Sequence, residues 1–370
     1  MRPWPGEVLE ERAGELAVGF AALLTRPAAW RHRRVETITV LSHENVRRAM
    51  SVDFTVPEEH RDDLRLSEGQ YVVPLALLAK RQLVHFDLRA EDHSSLPLLR
   101  SEEAQLIARE LLYLVLELDD PDLEAGDLIE RVVAADPEDP EAVIADIAAF
   151  EERAPSFAAL AEQLTRGFLL CAVLPDISRR RVIKFAYDEP LAKPHRTAHF
   201  YDAPGCTEAA SYHVEIAVPD EMRARTTRLV DNRTGEVLAV GARDADRPAV
   251  RYSAEPGRRM DTGVSVRYGL ERGRFLVPAA LVACVIALEL LLPWALADLA
   301  ALAVSGGPAI AVLLSSSAVF SALVLRSGEH PLVRLVLTPY RLCLTAATLA
   351  AVVAGGVLAF HAGSGTLELV

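Results

Sequence analysis

The chain is short of cysteine and lysine and lacks phosphate-binding loops, and each shortage closes off a class of protein. It has four cysteines in 370 residues. No Cys-x-x-Cys pair occurs among them, which excludes a small disulfide scaffold and the commonest zinc spacing. Neither GxxxxGK[ST] nor GxGxxG occurs, so no phosphate cradle is legible, and there is no GxSxG nucleophile elbow. The basic side chains number 39 against 52 acidic ones, for a formal charge of −13. That balance disfavours a general nucleic-acid binder. Only Lys80, Lys184 and Lys193 are lysines; the other basic residues are arginine. With the abundant alanine, this bias suggests a GC-rich bacterial genome. Disorder is excluded for most of the chain, because 51% of its residues are hydrophobic and that much apolar surface drives collapse.

These averages conceal a partition. Residues 101–162 hold three basic and eighteen acidic side chains, net −15, so the acidity belongs to one segment. The apolar residues concentrate at the other end. Three nearly uncharged stretches, at about 275–297, 305–325 and 341–361, each reach the roughly 20 residues that a bilayer core requires of a helix. They predict three transmembrane helices.

Arginine sets the expected orientation. Arg258, Arg259, Arg267, Arg272 and Arg274 precede the first stretch, and Arg326, Arg334 and Arg341 lie between the second and third. The other two flanks have no Lys or Arg. The positive-inside rule then puts residues 1–272 in the cytoplasm and the C-terminus outside, in a multi-pass plasma-membrane protein with the lipid bilayer as a partner. No secretory signal is expected at the start, since Glu15 interrupts the apolar run Gly14–Leu24 and an amphipathic helix fits better. Inside the first stretch, Glu289 is the one charged residue. It reads as a snorkelling carboxylate or as an intramembrane functional group.

The remainder reads as a head of the α+β class. Residues 1–34 form an N-terminal amphipathic helix, 35–100 a first β half, 101–174 an acidic helical insert and 175–272 a second β half; 273–370 is the membrane domain. Val52, Phe54 and Val56 alternate with Ser51, Asp53 and Thr55, the period of a half-buried strand. Helical spacing predicts helices over 101–118, 121–135, 140–153 and 155–174. Strands return at 181–187, 212–219, 223–230, 236–240, 249–253 and 263–269. The segments at 51–59 (SVDFTVPEE) and 213–221 (HVEIAVPDE) echo each other. They are either independent strands of similar type or two related halves of one sandwich. Polar outer faces favour antiparallel sheets, so the expected head is an antiparallel β-sandwich carrying the acidic helices.

Few constellations suggest chemistry. His195, His199, Cys206 and His213 could supply zinc ligands, but Pro194 and Pro204 surround the His-x₃-His pair, and turn histidines fit better. No catalytic residue, metal or cofactor emerges, and no motif marks a family. The expected role is a non-enzymatic interaction or sensing module at the inner leaflet, with a protein partner for the head and homo-oligomerisation as an option. An oligomeric membrane channel or membrane-disrupting effector gated by the head, and an enzyme of unrecognised type, are the alternatives. The acidic insert reads as a solvated face, or as a docking surface for a basic partner or for the chain's own Arg179–Lys184 stretch.

Overall fold

The computed structural model describes residues 6–42, 44–81, 83–134, 140–190, 198–219, 222–243, 245–253, 261–270 and 330–364, with isolated helical positions between 277 and 288. The chain begins with helix α1 (Gly6–Thr25) and a single turn α2 (Pro27–Trp30). Leu9, Leu16, Phe20 and Leu23 fall on one face of α1 and are buried. The Trp30 indole N–H donates to the Leu23 carbonyl at 2.9 Å and fixes the turn into the first strand.

Five strands follow: β1 (Arg31–Val40), β2 (Asn45–Phe54), β3 (Arg65–Ser67), β4 (Gln70–Ala79) and β5 (Val84–Arg89). The helical segment comprises α3 (Ser101–Asp119), α4 (Gly126–Ala134), α5 (Glu141–Ile147) and α6 (Pro155–Arg166). Then come β6 (Gly167–Leu174), β7 (Arg181–Pro190), β8 (Ala198–Asp202), β9 (Ser211–Ala217), β10 (Met222–Asp231), β11 (Val237–Val240), β12 (Ala249–Ser253) and β13 (Thr262–Leu270). A last helix, α7, runs Pro331–Ser364.

The strands make three sheets: a six-stranded one in the order β12-β9-β1-β2-β7-β5, a four-stranded one, β11-β10-β13-β8, and a three-stranded one, β3-β4-β6. The expected all-antiparallel sandwich is therefore corrected. β1 and β9 pair in parallel, so the large sheet is mixed, and there are three sheets instead of two. The two echoing segments flank β1, where Val35 lies opposite both Ser51 and His213. They run in opposite directions on the two sides of β1, within one sheet.

Four strands escaped the sequence pattern: β3, which is only three residues long, and β4, β6 and β8. β4 is a continuous apolar run interrupted by Pro74. Its register with β6 shifts between Pro74 and Ala76, so the missing N–H falls at a bulge, where proline is tolerated. β6 was expected as the end of a helix over 155–174. The helix ends at Arg166, and Gly167 makes the switch to strand, because a Cβ there would lie 2.9 Å from the Leu78 carbonyl oxygen. Only a residue without a side chain lets α6 feed directly into a strand at that spacing. β8 is short and edge-placed, and neighbouring His195 lies outside the described residues.

The expectation of three transmembrane helices is overturned. No helix among the described residues is long and apolar enough to cross a membrane. The stretches at about 275–297, with Glu289, and 305–325 lie largely outside the described residues. The third stretch falls within α7. Ahead of that stretch, Val333, Val336 and Leu337 in the first turns of α7 belong to the same buried cluster as Val40, Leu229 and Val264, and the His330 ring meets the Val40 carbonyl at 2.9 Å. An uncharged run of sufficient length is necessary for a span, but it does not specify what the helix packs against. The expected multi-pass localisation is overturned with the spans.

The two hydrophobic cores share one face of the large sheet. At one end, Met50, Val52, Phe54, Ile183 and Phe185 pack with β4, β6 and the helices. At the other, Ile38, Val40, Val46, Val214 and Ile216 pack with β8, β10 and β13. Between them the same face carries charge: Arg34, Glu36, Arg48 and Glu189, all buried. Arg48 pairs with Glu36 at 2.5 Å and with Glu189, and donates to the Asp202 carbonyl of β8 at 2.7 Å. The Tyr212 hydroxyl donates to the other Glu36 oxygen at 2.7 Å. Arg34 pairs with Glu208 at 2.5 Å, and Gly205 lies so near the Arg34 guanidinium that a Cβ would come within 2.1 Å of it. Arg31 donates to the Pro74 carbonyl of β4 at 2.9 Å. This polar seam ties the large sheet to the backbones of both smaller ones.

Burial lowers the Arg31 pKa to about 10, because Glu208 offsets only part of the desolvation. Burial acts on Arg48 too, but Glu36 and Glu189 more than reverse it and raise its pKa. A buried pair contributes little net stability, yet removing one partner strands the other charge at a cost of about 3–5 kcal/mol. Arg48→Met is therefore expected to lower unfolding free energy by about that amount in urea titrations. Removal of the exposed Arg180–Asp53 pair should leave the midpoint nearly unchanged. Equal effects of the two would contradict the assignment.

Candidate functional site

A cavity of about 420 Å³ lies where the first turns of α3, the end of α4 and the end of α6 meet β6 and the chain just after β4. That volume falls in the range of small-molecule sites, about 300–1,000 Å³. Its wall is mostly apolar, with Leu98, Leu99, Ala108, Leu164 and Phe168 contributing. Among the described residues three cations line it, Lys80, Arg81 and Arg100, and no Asp or Glu does. That selection is notable because the acidic helical segment supplies one wall.

Local sequence explains each position. Lys80 follows the last residue of β4, and its backbone N–H donates to the Arg166 carbonyl at 2.9 Å. The Gly167 switch thus holds the end of α6 beside the cavity mouth. The Lys80 ammonium donates to the Val132 and Val133 carbonyls at 2.9 and 3.0 Å. These belong to the last turn of α4, whose unsatisfied carbonyls and dipole favour a cation. No carboxylate pairs with Lys80 among the described residues, and burial lowers its pKa to about 8. Arg81 is held by Glu189 of the seam. The Arg100 backbone N–H donates to Glu103 at 2.7 Å at the start of α3. Cys171 also lines the cavity, but burial pushes its thiol pKa up, so it stays protonated and inert at neutral pH.

The residues singled out from the sequence do not converge. Arg258, Arg259, Arg272, Arg274, Arg326 and Glu289 lie outside the described residues. Arg267 is exposed on β13, Arg334 is exposed on α7, and Arg341 is half-buried further along α7. Of the histidines and cysteine weighed for zinc, His199 is buried against Tyr201 and Tyr268, and Cys206 is buried. His213 sits on β9, with its pKa lowered by burial and Arg251. Among the described residues no group of three or more His, Cys, Asp or Glu side chains could hold a metal.

The chain's own basic stretch does not dock on the acidic helices. Arg180 pairs with Asp53, and Arg181 with Asp176 and Glu91. The acidic segment instead uses several carboxylates to build itself: Asp119 accepts the N–H groups of Ser156 and Phe157 at 2.8 and 2.9 Å, which caps α6, and Asp120, Glu130 and Asp146 pair with Arg153, Arg109 and Arg131.

Sequence reasoning missed the cavity. One signal was available: Lys80 is one of three lysines in a chain that otherwise uses arginine. The seam left a signal too. In β1, Arg34 and Glu36 occupy the inward positions of an alternation whose next members are Ile38 and Val40.

No protein-family model matches the chain, and no curated protein does. Among solved structures, the chain has a likeness to an M1 zinc metallopeptidase from Deinococcus radiodurans bound to a Tyr-Ser-Ala substrate. Identity is 9%, and the match covers 64% of this chain and 42% of that one, at a TM-score of 0.27. The chain thus spans less than half the length of that enzyme, and a likeness of this level carries no argument about fold or chemistry.

The depressed pKa of Lys80 makes a test possible. Below about pH 8 both folded and unfolded chains hold its proton, and burying the charge costs a constant amount. Between about 8 and the ordinary 10.5, the unfolded chain binds the proton that the folded chain has lost, so stability rises with pH. Denaturant midpoints of the wild type, measured against Lys80→Met from pH 7 to 10.5, should rise relative to the variant across that window. A constant gap would show that Lys80 titrates normally.

Proposed function

We propose that the β-rich body is a non-enzymatic interaction or sensing module and that the 420 Å³ cavity is its ligand site. One observation carries this reading: concave, mostly apolar space opens beside a half-buried lysine, while the molecule's strongest polar cluster is sealed in the seam. Ligand sites combine an apolar wall with a few placed polar groups in this way. The seam residues are consumed by each other and by backbone carbonyls, so they support the cavity's walls through the Arg81–Glu189 pair without facing a ligand themselves.

A protein partner of basic character is the second reading. The helices α3–α6 expose Glu117, Glu124, Asp127, Glu141 and Glu151, and the chain's own arginine stretch is committed to Asp53, Asp176 and Glu91. That leaves this acidic face for another molecule. Steering by such a face weakens as salt is raised.

The neutral dye Nile red tests the ligand reading. It should bind the full chain at one saturable site. Ala108→Phe, which projects a ring into the cavity from the α3 wall, should weaken binding at least tenfold while the melting temperature changes by only a few degrees. Unchanged binding in that variant would move the site elsewhere, and absence of binding to the wild type would remove the reading.

A further inference from the structure

We infer that the cavity selects amphipathic monoanions, an aliphatic or aryl carboxylate whose apolar body lies along Leu98, Leu99 and Phe168 while its carboxylate meets the Lys80 ammonium. The inference rests on the ligand reading above and adds the chemical class.

Three features of the site support it. The first is charge selection. All charged side chains on the lining are basic among the described residues, in a chain of formal charge −13. A neutral ligand would not require that arrangement, and a cationic one would be repelled by it. The second is the state of Lys80. An ammonium has three donors, and two of them go to the Val132 and Val133 carbonyls. The third has no carboxylate partner among the described residues. The cation is thus oriented by α4 and left with one donor beside apolar space. A half-buried charge with uncharged partners gains more from an incoming carboxylate than a fully solvated one does, because the local dielectric is lower. The depressed pKa of Lys80 agrees with this geometry. The third feature is size. A cavity of about 150 Å³ accommodates a benzene, so this one, of about 420 Å³, has room for a ligand of up to about seventeen non-hydrogen atoms.

The three cations differ in what they can offer. Arg81 is engaged by Glu189, which it shares with Arg48, and Arg100 stands at the start of α3, where its backbone N–H is bonded to Glu103. Cys171 of β6 stays protonated, and α4 and α6 contribute only Val133, Ala134 and Leu164 to the lining. Lys80 is therefore the group whose charge answers the ligand's.

Calorimetric titration of the full chain with decanoate and with decanamide, which share shape and atom count, separates the possibilities. Decanoate should bind with unit stoichiometry and at least tenfold more tightly than decanamide at pH 7. Lys80→Met should abolish that preference while decanamide affinity stays within threefold. Should Lys80→Met fold poorly, the wild type still decides the matter. At pH 8, titrations in two buffers of different ionisation enthalpy should show uptake of part of a proton per decanoate and none with decanamide. Equal affinities for the two probes, or a preference that survives Lys80→Met, would overturn the carboxylate assignment while leaving the cavity a ligand site. Failure of both probes to bind would overturn the ligand reading and this inference together.

Discussion

The structure depends on a buried row of charges between two hydrophobic cores. One face of the six-stranded sheet must cover two smaller sheets at once, and Arg31, Arg34, Glu36, Arg48 and Glu189 occupy the line where those sheets meet. A purely apolar junction would leave the carbonyls of Pro74 and Asp202 unsatisfied at the sheet boundaries. The guanidinium groups of Arg31 and Arg48 reach them at 2.9 and 2.7 Å, and the carboxylates neutralise the guanidinium charge. The arrangement is costly to assemble, because every member is desolvated. It is specific for the same reason: a register slip of one residue in β1 would carry Arg34 and Glu36 to the outer face.

The cavity is a consequence of this architecture. The helical segment is inserted between β5 and β6, and its helices close one end of the first core. At the turn from α6 into β6, Gly167 allows the chain to pass close to Leu78, and Lys80 emerges at the same level. The seam reaches this region through Arg81, which shares Glu189 with Arg48. The charged line that joins the sheets therefore also positions the residue next to Lys80. One carboxylate, Glu189, thus joins the seam to the cavity lining.

Much of the β framework was legible in the sequence. β2 and β9 have clean alternation, and α3 has regular helical spacing, because each buries a single face. β4 and β6 were not legible, because both are covered on two sides and read as uninterrupted apolar runs. Periodicity carries no information when both faces are dry. The membrane expectation rested on hydropathy alone. Within 341–361 of α7, Leu342, Leu349 and Val353 are exposed, and no helix among the described residues is long and apolar enough to cross a membrane. The candidate site was invisible for a different reason. Its residues come from five separate elements, and the only local trace is a lysine in a chain that prefers arginine. The seam lay in plain view in β1, where two charged residues hold inward positions that alternation assigns to apolar ones.

Native-state hydrogen exchange tests the central claim most directly, because it reports the opening free energy of each core separately. If the charged seam couples the cores, the slowest amides of β4 and β6 and those of β10 and β13 will exchange with the same free energy in the wild type. In Arg48→Met the two sets will separate. Two distinct opening free energies in the wild type, or equal ones that persist in Arg48→Met, would show that the cores stand independently of the seam.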